Sequence, residues 1–202
     1  MKNKTGWLLA FVFVWACNNE KKSANEHSGH NMTVSNNNYC DSVNNGLITT
    51  DTLKGSPHRT AMATVNGTHV HIEYSSPGVK GRAIWGGLVA YDKVWVTGAH
   101  KATTVQFSKD VMINGTKITA GQYAFFTIPG KEKWIVILNT HYDQHQADDY
   151  NEKEDVVRVD VKPEEHNMTQ RLTYVVEKID GKSGEIKMQW EKMLIRLPFT
   201  MM

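Results

Sequence analysis

Across residues 68–74 the chain alternates strictly, with Val70, Ile72 and Tyr74 in one set and His69, His71 and Glu73 in the other. Successive side chains of a β-strand point to opposite faces, so this pattern lays an apolar row against a core and a polar row outward. A helix, at 3.6 residues per turn, would scatter both sets around its axis. Further strand-like runs follow at residues 94–96, 103–108, 122–128, 156–161, 172–179 and 186–197, punctuated by Gly, Pro and Asn. Val111-Met112-Ile113 and Thr116-Lys117-Ile118 flank Asn114-Gly115, a two-residue hairpin signal. Residues 134–138 are apolar on both faces, as a central strand requires. The run 186–197 is expected to break near Glu191-Lys192, and residues 144–154 have room for one turn of helix. No stretch carries a sustained helical period with caps. Roughly eight to ten short strands predict an all-β fold, an antiparallel β-sandwich or jelly-roll-like barrel. There is no internal repeat of the kind that builds a solenoid or propeller.

The amino-terminal part has a different character. Lys2 and Lys4 precede the apolar stretch at residues 7–15, which rises only about 14 Å as a helix, against a bilayer core of roughly 30 Å. It reads as an export signal rather than a membrane span. Val14-Trp15-Ala16-Cys17 resembles a bacterial lipobox, which makes Cys17 the expected lipidation site and the new amino terminus. Residues 18–46 hold nine Asn and almost no apolar side chains, a composition expected to stay disordered. The chain is therefore divided into a lipoprotein signal peptide (1–16), a lipid-anchored polar tether (17–54) and an all-β domain (55–202). The expected location is the bacterial cell envelope, outside the cytoplasm, with the membrane as partner through the lipid on Cys17.

Without Lys2 and Lys4, basic and acidic residues balance at 21 each. There is no Lys/Arg-rich run, so nucleic acid is not an expected partner. Beyond Cys17 only Cys40 remains, so no internal disulfide can form and the core alone must hold the fold.

Several separated motifs fall in a recognisable order: Ser75-Ser76-Pro77-Gly78-Val79-Lys80-Gly81-Arg82, then Val94-Trp95-Val96-Thr97-Gly98-Ala99-His100-Lys101-Ala102-Thr103, then Ala120-Gly121-Gln122-Tyr123, Phe126-Thr127-Ile128-Pro129-Gly130 and Trp134 to Asn139. The chain resembles, over residues 55–199, the family catalogued as domain of unknown function 2911, common in exported bacterial proteins. That family has no established activity, so the resemblance implies fold and location rather than chemistry. The commoner family pattern carries an Arg where Ser76 stands, a second where Val96 stands, and an Asn where His100 stands. A role for those arginines in anion binding does not carry over, and a histidine is gained.

The densest chemical pattern is His69-x-His71-x-Glu73, whose side chains project from one strand face about 6.5–7 Å apart. Imidazole and carboxylate suit zinc or copper. His100 and His145 are expected to complete a site with them, and His58 is a further candidate. The ordinary alternative is a solvated sheet face. In the tether, His27, His30, Met32 and Cys40 form a second candidate set, suited to copper; the alternative is a polar linker with incidental histidines. Lys80-Gly81-Arg82 after Pro77-Gly78 reads either as an anion cradle or as a solvated turn. Trp85, Trp95, Trp134 and Trp190 read as core or as a carbohydrate platform. No nucleophile elbow, phosphate loop or dinucleotide fingerprint is present, so no catalytic residue is assigned. Two functions are compatible with these residues: a membrane-anchored binding module with a His-based transition-metal site, or a metal-dependent enzyme in which the same histidines leave a coordination position open.

Overall fold

The computed structural model describes residues 31–202, with side chains from residue 38 onward. The export segment, Cys17, His27 and His30 lie outside the described residues, as does the side chain of Met32. Ten strands follow one helix: α1 Asn31–Asn44, β1 His58–Val65, β2 Thr68–Ser75, β3 Thr104–Phe107, β4 Val111–Ile113, β5 Thr116–Ile118, β6 Gly121–Ile128, β7 Trp134–Asn139, β8 Asp155–Val161, β9 Glu164–Lys178 and β10 Ser183–Met201. They form two antiparallel sheets, six strands in the order β1-β2-β3-β6-β7-β8 and four in the order β5-β4-β10-β9. The expected all-β sandwich is the observed fold.

Strand periodicity explains the core. Val70, Ile72 and Tyr74 of β2 turn inward with Val105 and Phe107 of β3 and Phe125 of β6. They meet Leu172, Tyr174, Leu197 and Phe199 from β9 and β10. Aromatic edges interlock across the sheets, with ring centroids 4.9 Å apart for Tyr74–Tyr174 and 5.8 Å for Phe107–Phe199, an arrangement that adds to simple area burial. The Asn114-Gly115 hairpin forms as expected, both residues at positive φ (48° and 77°) between β4 and β5. Asn66-Gly67 closes β1 onto β2 in the same way. Strand β7 is central, and its outer face is covered too: Ile137 packs with Phe126, Ala124, Val96 and Ala102 in a second cluster.

Two features depart from the sequence reading. Strand β1 was not expected, because its Ala/Thr-rich sequence HRTAMATV carries little apolar signal. The tether was drawn to residue 54, but residues 38–54 belong to the folded body. Cys40 is fully buried, and Val43 nearly so. Asn44 donates from Nδ2 to the Arg171 carbonyl at 2.9 Å and accepts the Arg171 backbone N–H at 2.7 Å.

The reason lies in Arg171, whose side chain is completely buried on β9. Its Nε lies 2.7 Å from Asp51 Oδ2 and a terminal nitrogen donates to Asp51 Oδ1 at 2.8 Å, a two-point pairing. The same guanidinium donates to the carbonyls of Gly55 (2.9 Å), Ser76 (3.1 Å) and Leu53. A buried guanidinium needs such a set of acceptors, and the strap at residues 51–55 supplies most of them. Gly78 is obligatory beside this pair, since a Cβ there would stand 2.6 Å from Asp51 Oδ2. Arg59 repeats the device at the helix, donating to Asp41 and lying 6.0 Å above the Tyr74 ring.

Candidate functional site

The outward row of β2 forms as the alternation predicts, but its groups find local partners. Glu73 lies between two imidazoles: His71 Nε2 is 3.2 Å from Oε1 and His58 Nε2 is 3.9 Å from Oε2. His69 turns to Thr64 instead, Nδ1 to Oγ1 at 3.3 Å, and its ring centroid is 6.2 Å from that of His71. His145 faces Asp148 at 3.4 Å, on the segment that pairs with Lys101.

His100 is not in that row. The loop at residues 97–103 meets β2 at its last residue, where Gly98 packs against the Ser75 backbone. His69 is six residues back along that strand, about 20 Å away. The expected convergence of His69, His71, Glu73, His100 and His145 on one ion is therefore not formed. Among the described residues no three His, Cys, Asp or Glu side chains are placed to hold a metal ion. Cys40, the one described side chain of the second candidate set, is a fully buried residue of α1, where burial pushes its thiol pKa up.

His100 lines a cleft with Arg82, Leu88, Trp95, Gln146 and Trp190. The indoles of Trp95 and Trp190 are stacked, centroids 5.7 Å apart at 21°, and Trp85 meets each of them edge-on at 5.9 and 5.8 Å. Trp190 is fully buried and its indole N–H has no hydrogen-bond partner among protein atoms. Leu88, by contrast, is 49% exposed at the opening. A shallower depression, lined by Gly55, Ser56, Gly78, Lys80 and Arg82, adjoins the cleft through the two residues common to both, Ser56 and Arg82.

The backbone around this cleft is held away from ordinary conformations. Thr97 has φ 52°, costly for a β-branched residue. It is fixed by its neighbours: Thr97 Oγ1 donates to Thr127 Oγ1 at 2.9 Å, and its carbonyl accepts from Tyr174 Oη at 2.8 Å and Thr103 Oγ1 at 3.1 Å. Trp95 Nε1 donates to the Gly98 carbonyl at 3.2 Å, closing the turn. Gly98 has no room for a side chain, since a Cβ would lie 2.8 Å from Thr103 Oγ1. His100 is also left-handed (φ 64°), and its carbonyl accepts the Gln146 N–H at 2.7 Å, tying the two walls together. On the other side, Trp190 precedes Glu191 (φ 54°), where the pairing of β10 with β9 shifts register. The expected break at Glu191-Lys192 is thus a bulge inside one continuous strand, of the kind that re-aims a neighbouring side chain.

The model of the family described as a protein of unknown function, DUF2911, matches residues 56–199. The chain belongs to that family. No curated protein and no solved structure matches it. The DUF2911 interval contains the six cleft residues named above and Arg171, while Asp51 and α1 precede it. Sequence reasoning had singled out Arg82, His100 and the tryptophans, but under three separate headings. Their assembly depends on the bulge and the left-handed turns, which have no signature in hydrophobic periodicity. Gln146 carried no signal at all.

Proposed function

We propose that this DUF2911 protein is a lipid-anchored binding module of the bacterial cell envelope, and that its ligand occupies the cleft beside Trp95 and Trp190. One observation carries the choice of cleft. Of the eight described non-glycine residues at positive φ, Asn66 and Asn114 serve hairpins, Lys80 serves the turn closed by the Arg82 N–H on the Val79 carbonyl and Asp92 lies elsewhere; Thr97, His100, Gln146 and Glu191 line or border the cleft. Strain of this kind costs about 1–3 kcal/mol per residue and persists where the surrounding structure over-determines it, which is characteristic of functional sites. An apolar wall with a few polar groups at the rim is the usual composition of a small-molecule site. The anchor rests on the apolar segment and the Ala16-Cys17 junction of the sequence.

A neutral fluorescent probe, N-phenyl-1-naphthylamine, tests the cleft on the full chain in detergent. Saturable binding of about one equivalent is expected, weakened at least about tenfold by Leu88→Glu at unchanged melting temperature. Binding indifferent to Leu88→Glu would remove the cleft from consideration. The anchor has its own test: Cys17→Ala should move the protein from the detergent phase to the aqueous phase, and unchanged partition would overturn it.

A further inference from the structure

We infer that the ligand of this cleft is an amphipathic anion, an apolar body bearing one carboxylate, phosphate or sulfonate group; the inference rests on the cleft being the binding site proposed above. Leu88 and the half-buried Trp95 offer apolar contact, with Val89 and Trp190 packed behind them. The rim offers charge of one sign only. Arg82 borders both the cleft and the depression, Lys80 lines the depression, and no Asp or Glu lines either.

The pairing of these two cations strengthens the case. Arg82 donates from Nε to the Val79 carbonyl at 3.2 Å and from a terminal nitrogen to the Gly78 carbonyl. Lys80 Nζ donates to the Leu53 carbonyl. These are neutral acceptors, and among the described residues neither cation pairs with a carboxylate. Arg82 differs in this from the other described arginines, each of which pairs with a carboxylate: Arg59 with Asp41, Arg158 with Asp155, Arg171 with Asp51 and Arg196 with Glu164. Backbone carbonyls position the Arg82 fork and leave its charge uncompensated, which favours an anion that can accept two hydrogen bonds. Ser56, at the junction of the two depressions, adds a hydroxyl donor.

The test compares 8-anilinonaphthalene-1-sulfonate, which carries an anionic group, with the neutral N-phenyl-1-naphthylamine, on the full chain in detergent. The double variant Arg82→Gln, Lys80→Gln should raise the Kd of the sulfonate about tenfold, the loss expected for charge-assisted hydrogen bonds, and change that of the neutral probe less than about twofold. Raising salt from 0.05 to 0.5 M should weaken the sulfonate and spare the neutral probe, a readout that needs no variant. Equal loss of both probes, or no loss of either, on removing the two charges overturns the anion reading while the binding reading stands. Failure of Leu88→Glu to affect either probe overturns the binding reading itself. Competition then separates two sources of the same chemistry. Displacement of the sulfonate by naphthalene-2-carboxylate supports the inference with a soluble aromatic acid as ligand. Displacement by dihexanoylphosphatidic acid supports it with a lipid headgroup and chain. Displacement by neither overturns it.

Discussion

At the scale of single residues the largest commitments are polar. Arg171 is fully buried and Asp51 nearly so, and each is the other's principal charge partner. Removing one member of a buried pair leaves the other charge without compensation, so Asp51→Ala should cost about 3–5 kcal/mol in denaturant unfolding. Glu73→Ala removes a carboxylate from an exposed face and should cost less than about 1 kcal/mol. Similar losses for both variants would mean that water reaches Arg171 and that the strap contributes little. Gly98→Ala is a sharper probe of the cleft. Its Cβ must push Thr103 Oγ1 away, and that hydroxyl holds the Thr97 carbonyl in place. Loss of N-phenyl-1-naphthylamine binding is therefore expected in this variant under conditions where it is still folded; unchanged binding would show that the left-handed turn can relax without opening the wall.

At the scale of elements, α1 and the strap behave as part of the sandwich. Deleting residues 18–30 should leave the melting temperature unchanged within a few degrees, whereas deleting residues 18–54 strips Asp51, Asn44 and the Leu53 carbonyl from Arg171 and should lower it by many degrees. Equal melting of the two truncations would show that the helix and strap are dispensable. The strands were legible because each carries its own evidence: β2 announces itself by alternation, β7 by apolar residues on both faces, and the β4–β5 hairpin by Asn114-Gly115. Helix α1 was not legible, since its sequence NMTVSNNNYCDSVN is nearly all polar and its docking relies on Asn44, Asp41 and Cys40 meeting Arg171, Arg59 and the sheet. Those partners lie up to 127 residues away in the chain, and pairing at such separation leaves no local pattern. The same limit governs the histidines. Spacing correctly put His69, His71 and Glu73 on one face, but which loop arrives beside that face is a property of the whole topology, and His100 docks at the Ser75 end.

At the scale of the whole molecule, protonation behaviour should be lopsided. On the alkaline side several groups hold their protons more tightly when folded. Burial raises the Cys40 thiol above 9.0, and burial raises Tyr74 and, further, Tyr174 above 10.0. In each case the unfolded chain loses its proton first, so between the two pKa values the unfolded state binds fewer protons and stability falls as pH rises. That contribution is fully present below about pH 9 and disappears above it, first through Cys40 and then through the tyrosines. On the acid side the sign reverses. Hydrogen bonding, from Lys117 to Asp110 and from the Lys182 backbone to Asp180, lowers both carboxyls below 3.8, so their contribution is present above that pH and is lost on further acidification. Asp180 is exposed and Asp110 half-exposed, so the acid limb should be shallow and the alkaline limb steep. Guanidinium unfolding at pH 7, 9 and 10.5 is the direct measurement. Stability should be flat to about pH 9 and drop clearly by 10.5. Tyr174→Phe should be less stable at pH 7, having lost its bond to the Thr97 carbonyl, yet decline less steeply between pH 9 and 10.5. An identical alkaline slope in this variant would assign the loss to other groups and would show that the Tyr174 phenol, although it closes the floor of the strained turn, is not what makes the fold sensitive to base.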